Sequence, residues 1–233
     1  MPFVFTPPVQ AAVPIVGQTQ QFPVHRVYCV GRNYAEHAKE MGFTGREAPF
    51  FFLKPADAVL TADQGNETIF MPFPSMTSNL HHEIELVVAI GKGGRNITAA
   101  QAFEHIWGYA VGLDMTRRDL QNEMKKQGRP WCIGKAFEHS APISAITPAE
   151  QAGDIENAAI WLQVNGQDRQ RSHTHQLIWN IAETIEHLSQ AWELQPGDLI
   201  MTGTPEGVGA VQVGDVLEGG IDGLSTLRVQ MTD

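Results

Sequence analysis

Short apolar runs separated by glycine-containing turns dominate the sequence and predict a protein built mainly of β-strands. Glu83–Ile90 (EIELVVAI) alternates with the two-residue period of a strand. Val27–Gly31 (VYCVG) and Tyr109–Asp114 (YAVGLD) predict two further strands. Phe50–Leu53 is apolar throughout, which predicts a buried strand.

The second half of the chain contains a hairpin signal and several more short runs. Asn165-Gly166 separates Trp161–Val164 from Gln167–Arg171, and Asn-Gly is a preferred pair for the type I′ turn between antiparallel strands. Later strands are predicted at Leu199–Thr202, Val216–Glu218 and Leu224–Val229.

Helical signals are fewer and do not alternate regularly with the strands. Two segments begin with capping boxes, Asn33 with Glu36 and Thr116 with Asp119. Because the elements do not follow a strand–helix–strand order, a doubly wound α/β fold is disfavoured. We expect a β-rich α+β fold, a sandwich or roll with a few peripheral helices over residues 33–41, 98–106, 116–127 and 177–192.

Composition and charge narrow the class of protein. The 233 residues are 42% hydrophobic and 18% charged, which fits a globular chain of one large or two small domains. Acidic residues outnumber basic ones 26 to 16, and no basic stripe is visible, so nucleic acid and anionic membrane surfaces are disfavoured partners. Two cysteines, Cys29 and Cys132, are too few for a disulfide scaffold.

The N-terminal segment is apolar but carries no lysine or arginine before Arg26. A secretory or mitochondrial targeting segment would need basic residues there. We therefore expect residues 1–20 to form an extended arm, residues 21–233 to form a single domain, and the protein to reside in the cytoplasm. No apolar run approaches the roughly 18 residues of a membrane span.

Three carboxylates in the predicted strands suggest a site for a cation. Glu83 and Glu85 lie on one face of an otherwise apolar strand, and Asp114 ends another. A solvated face of an edge strand would explain Glu-x-Glu equally well. If Asp114 meets the two glutamates, however, their mutual repulsion favours a hard divalent ion such as Mg²⁺, Mn²⁺ or Ca²⁺.

Two further features are candidates for proton transfer and charge stabilisation. His37 and Glu40 are spaced i, i+3 on the predicted helix, so the glutamate could orient the histidine as a base, although surface helices carry such pairs often. Lys135 ends the less polar run PWCIGK and could present a positive charge to an oxyanion. The turn Gly203–Gly207 lacks the lysine and helix of a phosphate loop.

The sequence closely resembles the fumarylacetoacetate hydrolase family. The resemblance runs from about residue 25 to 230, is closest to the small acylpyruvase branch, and rests on the segments VGRNYAEHAKEMG, FFLKPADAV, NLHHEIELVVAIGK, GYAVGLDMTRRDLQ, PWCIGKAFEHSAPIS, VNGQDRQ and GDLIMTGTPEGVG. It implies a mixed β-sandwich roll in a homodimer, with one Mg²⁺ or Mn²⁺ per subunit.

The resemblance also implies roles for individual residues. The metal ligands fall on Glu83, Glu85 and Asp114, and the catalytic residues fall on His37, Glu40 and Lys135. Positions near the substrate or metal fall on Arg32, Lys54, Arg118, Gln121 and Thr204.

The resemblance implies hydrolysis of a C–C bond in an acylpyruvate, an α-keto acid. His37, oriented by Glu40, is expected to take a proton from water, while the cation and Lys135 stabilise the departing enolate of pyruvate. Fumarylpyruvate, cleaved to fumarate and pyruvate in gentisate-type aromatic breakdown, is the leading substrate. Oxaloacetate decarboxylation and an isomerase or decarboxylase of homoprotocatechuate breakdown stay open, as does a metal-binding protein without activity.

Overall fold

The computed structural model describes residues 2–36, 46–63 and 67–233. Its strands are β1 (Ala12–Pro14), β2 (Gln21–Pro23), β3 (Val27–Gly31), β4 (Phe50–Lys54), β5 (Val59–Leu60), β6 (Ile69–Pro72), β7 (Leu80–His82), β8 (Ile84–Ile90), β9 (Ile106–Leu113), β10 (Thr116–Arg117), β11 (Ala141–Pro142), β12 (Thr147–Pro148), β13 (Ala159–Val164), β14 (Gln167–His173), β15 (Leu199–Met201), β16 (Gly209–Val211), β17 (Val216–Ile221) and β18 (Leu227–Thr232).

Helices are short and few among the described residues. The α-helices are α1 (Arg118–Lys126), α2 (Cys132–Lys135) and α3 (Ile181–Ala191), and the 3₁₀ helices span Ala56–Ala58, Ala99–His105, Ala149–Gln151 and Thr174–Gln176. Within the part of the chain that the structure describes, none of them is long and apolar enough to cross a membrane.

Two sheets form the body of the fold. A six-stranded sheet has the order β12-β9-β8-β15-β3-β4, and a five-stranded sheet has the order β14-β13-β17-β18-β6. Both are mixed, because β15 pairs with β3 in parallel and β18 pairs with β6 in parallel. A three-stranded sheet, β10-β7-β16, and two strand pairs complete the fold. The β-rich α+β architecture predicted from the sequence is therefore confirmed.

Strand β8 lies between two apolar cores. Leu86 and Val88 point into the larger core, which they share with Ile160 and Leu162 of the five-stranded sheet. On the other face, Val87 enters a second core that includes β1 and β2. Every residue of β8 is buried, and β9 and β15 flank it on either side. The alternative of a solvated edge strand is therefore wrong.

Most predicted strands are observed, with two corrections at the edges. β4 is an edge strand rather than a buried one, and Leu53 is 39% exposed. The predicted strand Leu224–Val229 begins three residues later, at Leu227, because Gly223 at φ 83° turns the chain before it. The hairpin is confirmed: Asn165 and Gly166 have φ values of 52° and 75°, as a type I′ turn requires.

Two of the predicted helix starts are corrected. Thr116 lies in β10, where its hydroxyl donates to the Asp114 carbonyl, and Asp119 accepts hydrogen bonds from residues 77 and 78 instead of completing a capping box. The last α-helix begins at Ile181, where Asn180 and Glu183 form the capping box. The segment after Thr98 is a 3₁₀ helix.

The predicted N-terminal arm is divided between two environments. Residues 2–10 are exposed, whereas β1 pairs with β2 and buries Val13 and Ile15 against the second core. The side chain of Gln10 marks the transition, because its Nε2 donates to the Val24 carbonyl at 2.6 Å. Residues 12–16 therefore pack on the body of the domain, whereas residues 17–20 are exposed.

The position of β8 makes its apolar side chains sensitive to truncation. Leu86 is fully buried, so Leu86→Ala should lower the free energy of unfolding by about 2–5 kcal/mol. Leu53→Ala on the exposed edge strand removes the same atoms and should cost clearly less. Urea unfolding of the two variants measures the difference, and equal losses would contradict the central placement of β8.

Candidate metal centre and active site

The pairing of β8 with β9 brings the three predicted carboxylates together. Glu85 pairs across the ladder with Gly112, and the amide of Asp114 donates to the Glu83 carbonyl at 2.9 Å. One oxygen from each of the three side chains lies within 4.8 Å of the others. The residues are only 6%, 2% and 1% exposed, for Glu83, Glu85 and Asp114 respectively.

Burial of these carboxylates creates an electrostatic problem. Two unit charges 4 Å apart repel by roughly 4 kcal/mol at an effective dielectric of about 20. Burial first, and then the charges of Asp114 and Glu83, raise the pKa of Glu85 well above its ordinary value. The backbone N–H of Gly203 donates to Glu85 Oε2 at 2.7 Å and opposes that shift. Among the described residues, no lysine or arginine forms an ion pair with Glu85.

Two buried lysines compensate the other two acids. Lys135 Nζ donates to Glu83 Oε2 at 2.8 Å and to Asp114 Oδ2 at 2.6 Å. Burial lowers the pKa of Lys135, but the charges of Asp114 and Glu83 outweigh it, so the net pKa is raised. Lys54 Nζ lies 2.9 Å from Asp114 Oδ1. Lys135 therefore stays a cation at neutral pH.

Arg118 is held at the rim of the site by three different partners. It forms an ion pair with Glu83, and its Nη1 donates to Gln121 Oε1 at 2.6 Å. Its Nε lies 3.5 Å from Nδ1 of His81. Burial, and then the charge of Arg118, lower the pKa of His81 to about 4, so this imidazole is neutral and can accept. The guanidinium is thus fixed beside the carboxylates.

These side chains line one pocket. Its acidic and basic walls come from the three carboxylates, Lys135, Arg118 and Arg32, and its remaining walls come from Gln121, Thr204, Val30, Gly31, Phe52 and Trp131. Arg32 adopts φ 55° and lies with its guanidinium 4.7 Å from the centre of the Phe50 ring. A Cβ at residue 31 would overlap that ring, so a larger residue there would force the Phe50 side chain to move.

Lys54, predicted to lie near the substrate or metal, contacts a candidate metal ligand. Its side chain is fully buried and donates to the carbonyls of Lys135 and Met115, in addition to its ion pair with Asp114. It does not line the pocket. Lys54 therefore lies behind the carboxylates, where it can hold Asp114 in place.

The predicted dyad of His37 and Glu40 lies outside the described residues. Asn33, which was predicted to cap the helix that carries them, lies among the described residues. Its side-chain amide donates to the carbonyls of Trp179 and Thr202 and accepts from the Trp179 amide.

The donor set fits a hard divalent cation. Three carboxylates supply only oxygen ligands, which suit Mg²⁺ or Mn²⁺ rather than zinc. The raised pKa of Glu85 also indicates a shortage of positive charge on one side of the site, which such an ion would correct. Glu83, Glu85 and Asp114 could therefore hold one.

The comparisons with known proteins agree with this geometry. The model of the fumarylacetoacetate (FAA) hydrolase C-terminal family matches residues 26–232. The chain belongs to the fumarylacetoacetate hydrolase family. The resemblance drawn from the sequence motifs is thereby confirmed.

Members of the fumarylacetoacetate hydrolase family with different activities resemble this chain. The crystal structure of fumarylpyruvate hydrolase from Pseudomonas aeruginosa in complex with Mn²⁺ and pyruvate is 59% identical, covers 99% of both chains and has a TM-score of 0.96. The oxaloacetate tautomerase FAHD1 of Rattus norvegicus is 44% identical over 88% of this chain and 90% of its own. The oxaloacetate tautomerase YcgM of Escherichia coli is 43% identical over 91% of this chain and 96% of its own.

Sequence reasoning missed two polar residues that support this family site. Gln170 lies in the polar run QDRQRSH and is the only buried residue of β14. Asn33 was interpreted as a helix cap, although it joins the chain after β3 to residues 179 and 202. A buried glutamine inside a polar strand has no hydropathy signal, and the strand period counted from Val164 and the turn would place Gln170 outward. A bulge in the hairpin shifts the register so that Gln170 pairs with buried Leu162, and the sequence does not signal that bulge.

The raised pKa of Glu85 predicts a pH-dependent stability in the metal-free protein. Because the pKa in the folded state is above the ordinary value of 4.5, Glu85 favours folding at low pH and disfavours it as pH rises through the raised pKa. Glu85→Gln should therefore lose less stability than the wild type between pH 5 and pH 8. Urea unfolding at several pH values measures this, with exposed Glu150→Gln as the control.

Addition of Mn²⁺ should stabilise the wild type more than it stabilises Glu85→Gln. At a Mn²⁺ concentration about 100 times its Kd, the wild type should gain about 2.7 kcal/mol. Glu85→Gln should gain much less, because one ligand has lost its charge. Equal gains in the two proteins would show that Mn²⁺ binds elsewhere.

Proposed function

We propose that the protein is a divalent-metal-dependent hydrolase that cleaves the C–C bond of an acylpyruvate, with fumarylpyruvate as the substrate and fumarate and pyruvate as the products. The observation that carries the proposal is the buried carboxylate cluster beside Lys135, in a chain 59% identical over 99% of its length to a fumarylpyruvate hydrolase. The structure of that relative contains Mn²⁺ and pyruvate.

The residues of this chain fit the steps of such a hydrolysis. A bound Mg²⁺ or Mn²⁺ would supply Lewis-acid stabilisation of negative charge on the oxygens of the α-keto acid. Lys135, kept protonated by its two acidic neighbours, adds a fixed positive charge beside them. Arg118 and Arg32 lie at the pocket wall and are placed to bind a carboxylate of the substrate.

The proton transfers are assigned to His37 and Glu40 on the family resemblance. Glu40 orients His37, and His37 removes a proton from water. The resulting hydroxide adds to the acyl carbonyl, the C–C bond breaks, and its electron pair passes to the enolate of pyruvate. Protonation of that enolate at carbon completes the reaction. Lys54 holds Asp114 and does not touch the substrate in this proposal.

A second candidate function is conversion of oxaloacetate, by tautomerisation or decarboxylation. It is favoured by the relatives FAHD1 and YcgM, which are oxaloacetate tautomerases 44% and 43% identical to this chain. Oxaloacetate is itself an α-keto acid and can form the same enol, but neither of these reactions adds water across a C–C bond. The candidates therefore differ in their need for a base that activates water.

The wider setting is part of the same proposal. We expect a homodimer in the cytoplasm that uses Mg²⁺ or Mn²⁺, one per subunit, and acts in gentisate-type aromatic catabolism. Isomerisation or decarboxylation in homoprotocatechuate breakdown is disfavoured because the sequence retains both His37 and Glu40.

Replacement of His37 separates hydrolysis from the oxaloacetate reactions. His37→Ala should lower kcat/KM for fumarylpyruvate by about 10²- to 10⁴-fold, because a general base contributes that much. Turnover of fumarylpyruvate, maleylpyruvate, acetylpyruvate and oxaloacetate is measured with Mg²⁺ and with Mn²⁺. Exposed His175→Ala serves as the matched control and should leave all rates unchanged.

Two results of these turnover measurements would contradict the proposal. If the wild type turns over oxaloacetate but none of the acylpyruvates, the second candidate replaces the first. If His37→Ala hydrolyses fumarylpyruvate at the wild-type rate, the assignment of the base is wrong.

A further inference from the structure

The side chain of Gln170 makes a hydrogen bond with each of four partners. Its Oε1 accepts from the backbone N–H of Ile84 at 3.1 Å and from Nδ1 of His82 at 3.0 Å. Its Nε2 donates to Oγ1 of Thr204 and to the carbonyl of Pro205, both at 2.8 Å. Gln170 is 1% exposed, although its strand β14 is otherwise polar and largely open to solvent.

The orientation of this amide is fixed by its partners. The N–H of Ile84 can only donate, and the carbonyl of Pro205 can only accept, so Oε1 must face β8 and Nε2 must face the turn. It follows that His82 carries a hydrogen on Nδ1. A flipped amide would leave two buried backbone groups unsatisfied, which costs about 1–3 kcal/mol for each group.

The acceptor side of Gln170 fixes the backbone around Glu83. His82 and Ile84 are the two residues that flank this glutamate, and both donate to the same oxygen. The chain is interrupted here, because Glu83 belongs to neither β7 nor β8. Glu83 therefore lies between β7 and β8, and the side chain of Gln170 connects the residue before it to the residue after it.

The donor side of Gln170 fixes the turn that contacts Glu85. Thr204 and Pro205 follow Gly203 directly, and the Gly203 N–H donates to Glu85 Oε2 at 2.7 Å. Thr204 itself lines the pocket. One buried amide thus connects the backbone of one glutamate to the turn that holds the carboxylate of the other.

We propose that Gln170 is a positioning residue that sets the relative placement of Glu83 and Glu85 for binding of a divalent cation. The inference rests on the proposed metal site. Gln170 does not line the pocket, so it acts through the strand and the turn and not by contact with metal or substrate. Partners of this kind, outside the ligands themselves, typically contribute 10- to 100-fold to metal affinity.

The test is Mn²⁺ binding to the full-length, metal-free protein by isothermal titration calorimetry. Gln170→Met keeps the length of the side chain but removes all four hydrogen bonds, and should raise the Kd by about 10- to 100-fold. Gln170→Glu retains the acceptor toward Ile84 but turns an oxygen toward the Pro205 carbonyl, so its Kd should lie between those of Gln170→Met and the wild type. Exposed Gln167→Met on the same strand is the matched control and should bind Mn²⁺ like the wild type.

Urea unfolding of the metal-free variants separates positioning from general loss of structure. If Gln170→Met is too unstable to be measured, Gln170→Glu provides the comparison. A Kd equal to that of the wild type in a folded Gln170 variant would overturn the inference while the proposed function stands. Failure of the wild type itself to bind Mn²⁺ would overturn both.

Discussion

Three carboxylates with little access to solvent lie within reach of one another at the centre of the structure, and their repulsion is the constraint on which the site depends. Lys135 and Lys54 neutralise part of that charge, and Arg118 adds an ion pair at the rim. From the part of the chain that the structure describes, Glu85 receives one backbone hydrogen bond, donated by Gly203. The three cations balance the three carboxylates in formal charge, but within the described residues none of them forms an ion pair with Glu85. The Glu85 side of the cluster is therefore where a small cation would gain most.

The fold keeps these acids in place with parts that never touch a ligand. β8 is anchored on both faces by separate apolar cores, which leaves its ladder with β9 no freedom to slip. The Glu83 carbonyl accepts from the Asp114 amide, but Glu83 lies outside β8, and the turn at Gly203 lies outside the β8–β9 ladder. Gln170 from the second sheet connects them, so the two large sheets cooperate in shaping the site.

Local patterns predicted much of the fold and the cluster, because both follow from the strand period. Alternation placed Glu83 and Glu85 on one face, and Asp114 was recognised at the end of another apolar run. Its meeting with the two glutamates was a condition that only the family resemblance supplied. Long-range partners decided what was missed: Thr116 pairs with His81 in the ladder of β10 and β7 instead of capping a helix. Lys54 forms an ion pair with Asp114 and does not line the pocket. The residues next to Lys54 in the sequence do not indicate that partner.

The most direct test of a cation site formed by Glu83, Glu85 and Asp114 is anomalous diffraction from crystals grown with Mn²⁺. We expect one strong anomalous peak per chain, within about 2.0–2.6 Å of an oxygen from each of the three carboxylates. A peak bound by other residues, or no peak in crystals grown at a saturating Mn²⁺ concentration, would contradict a cation site at these three carboxylates.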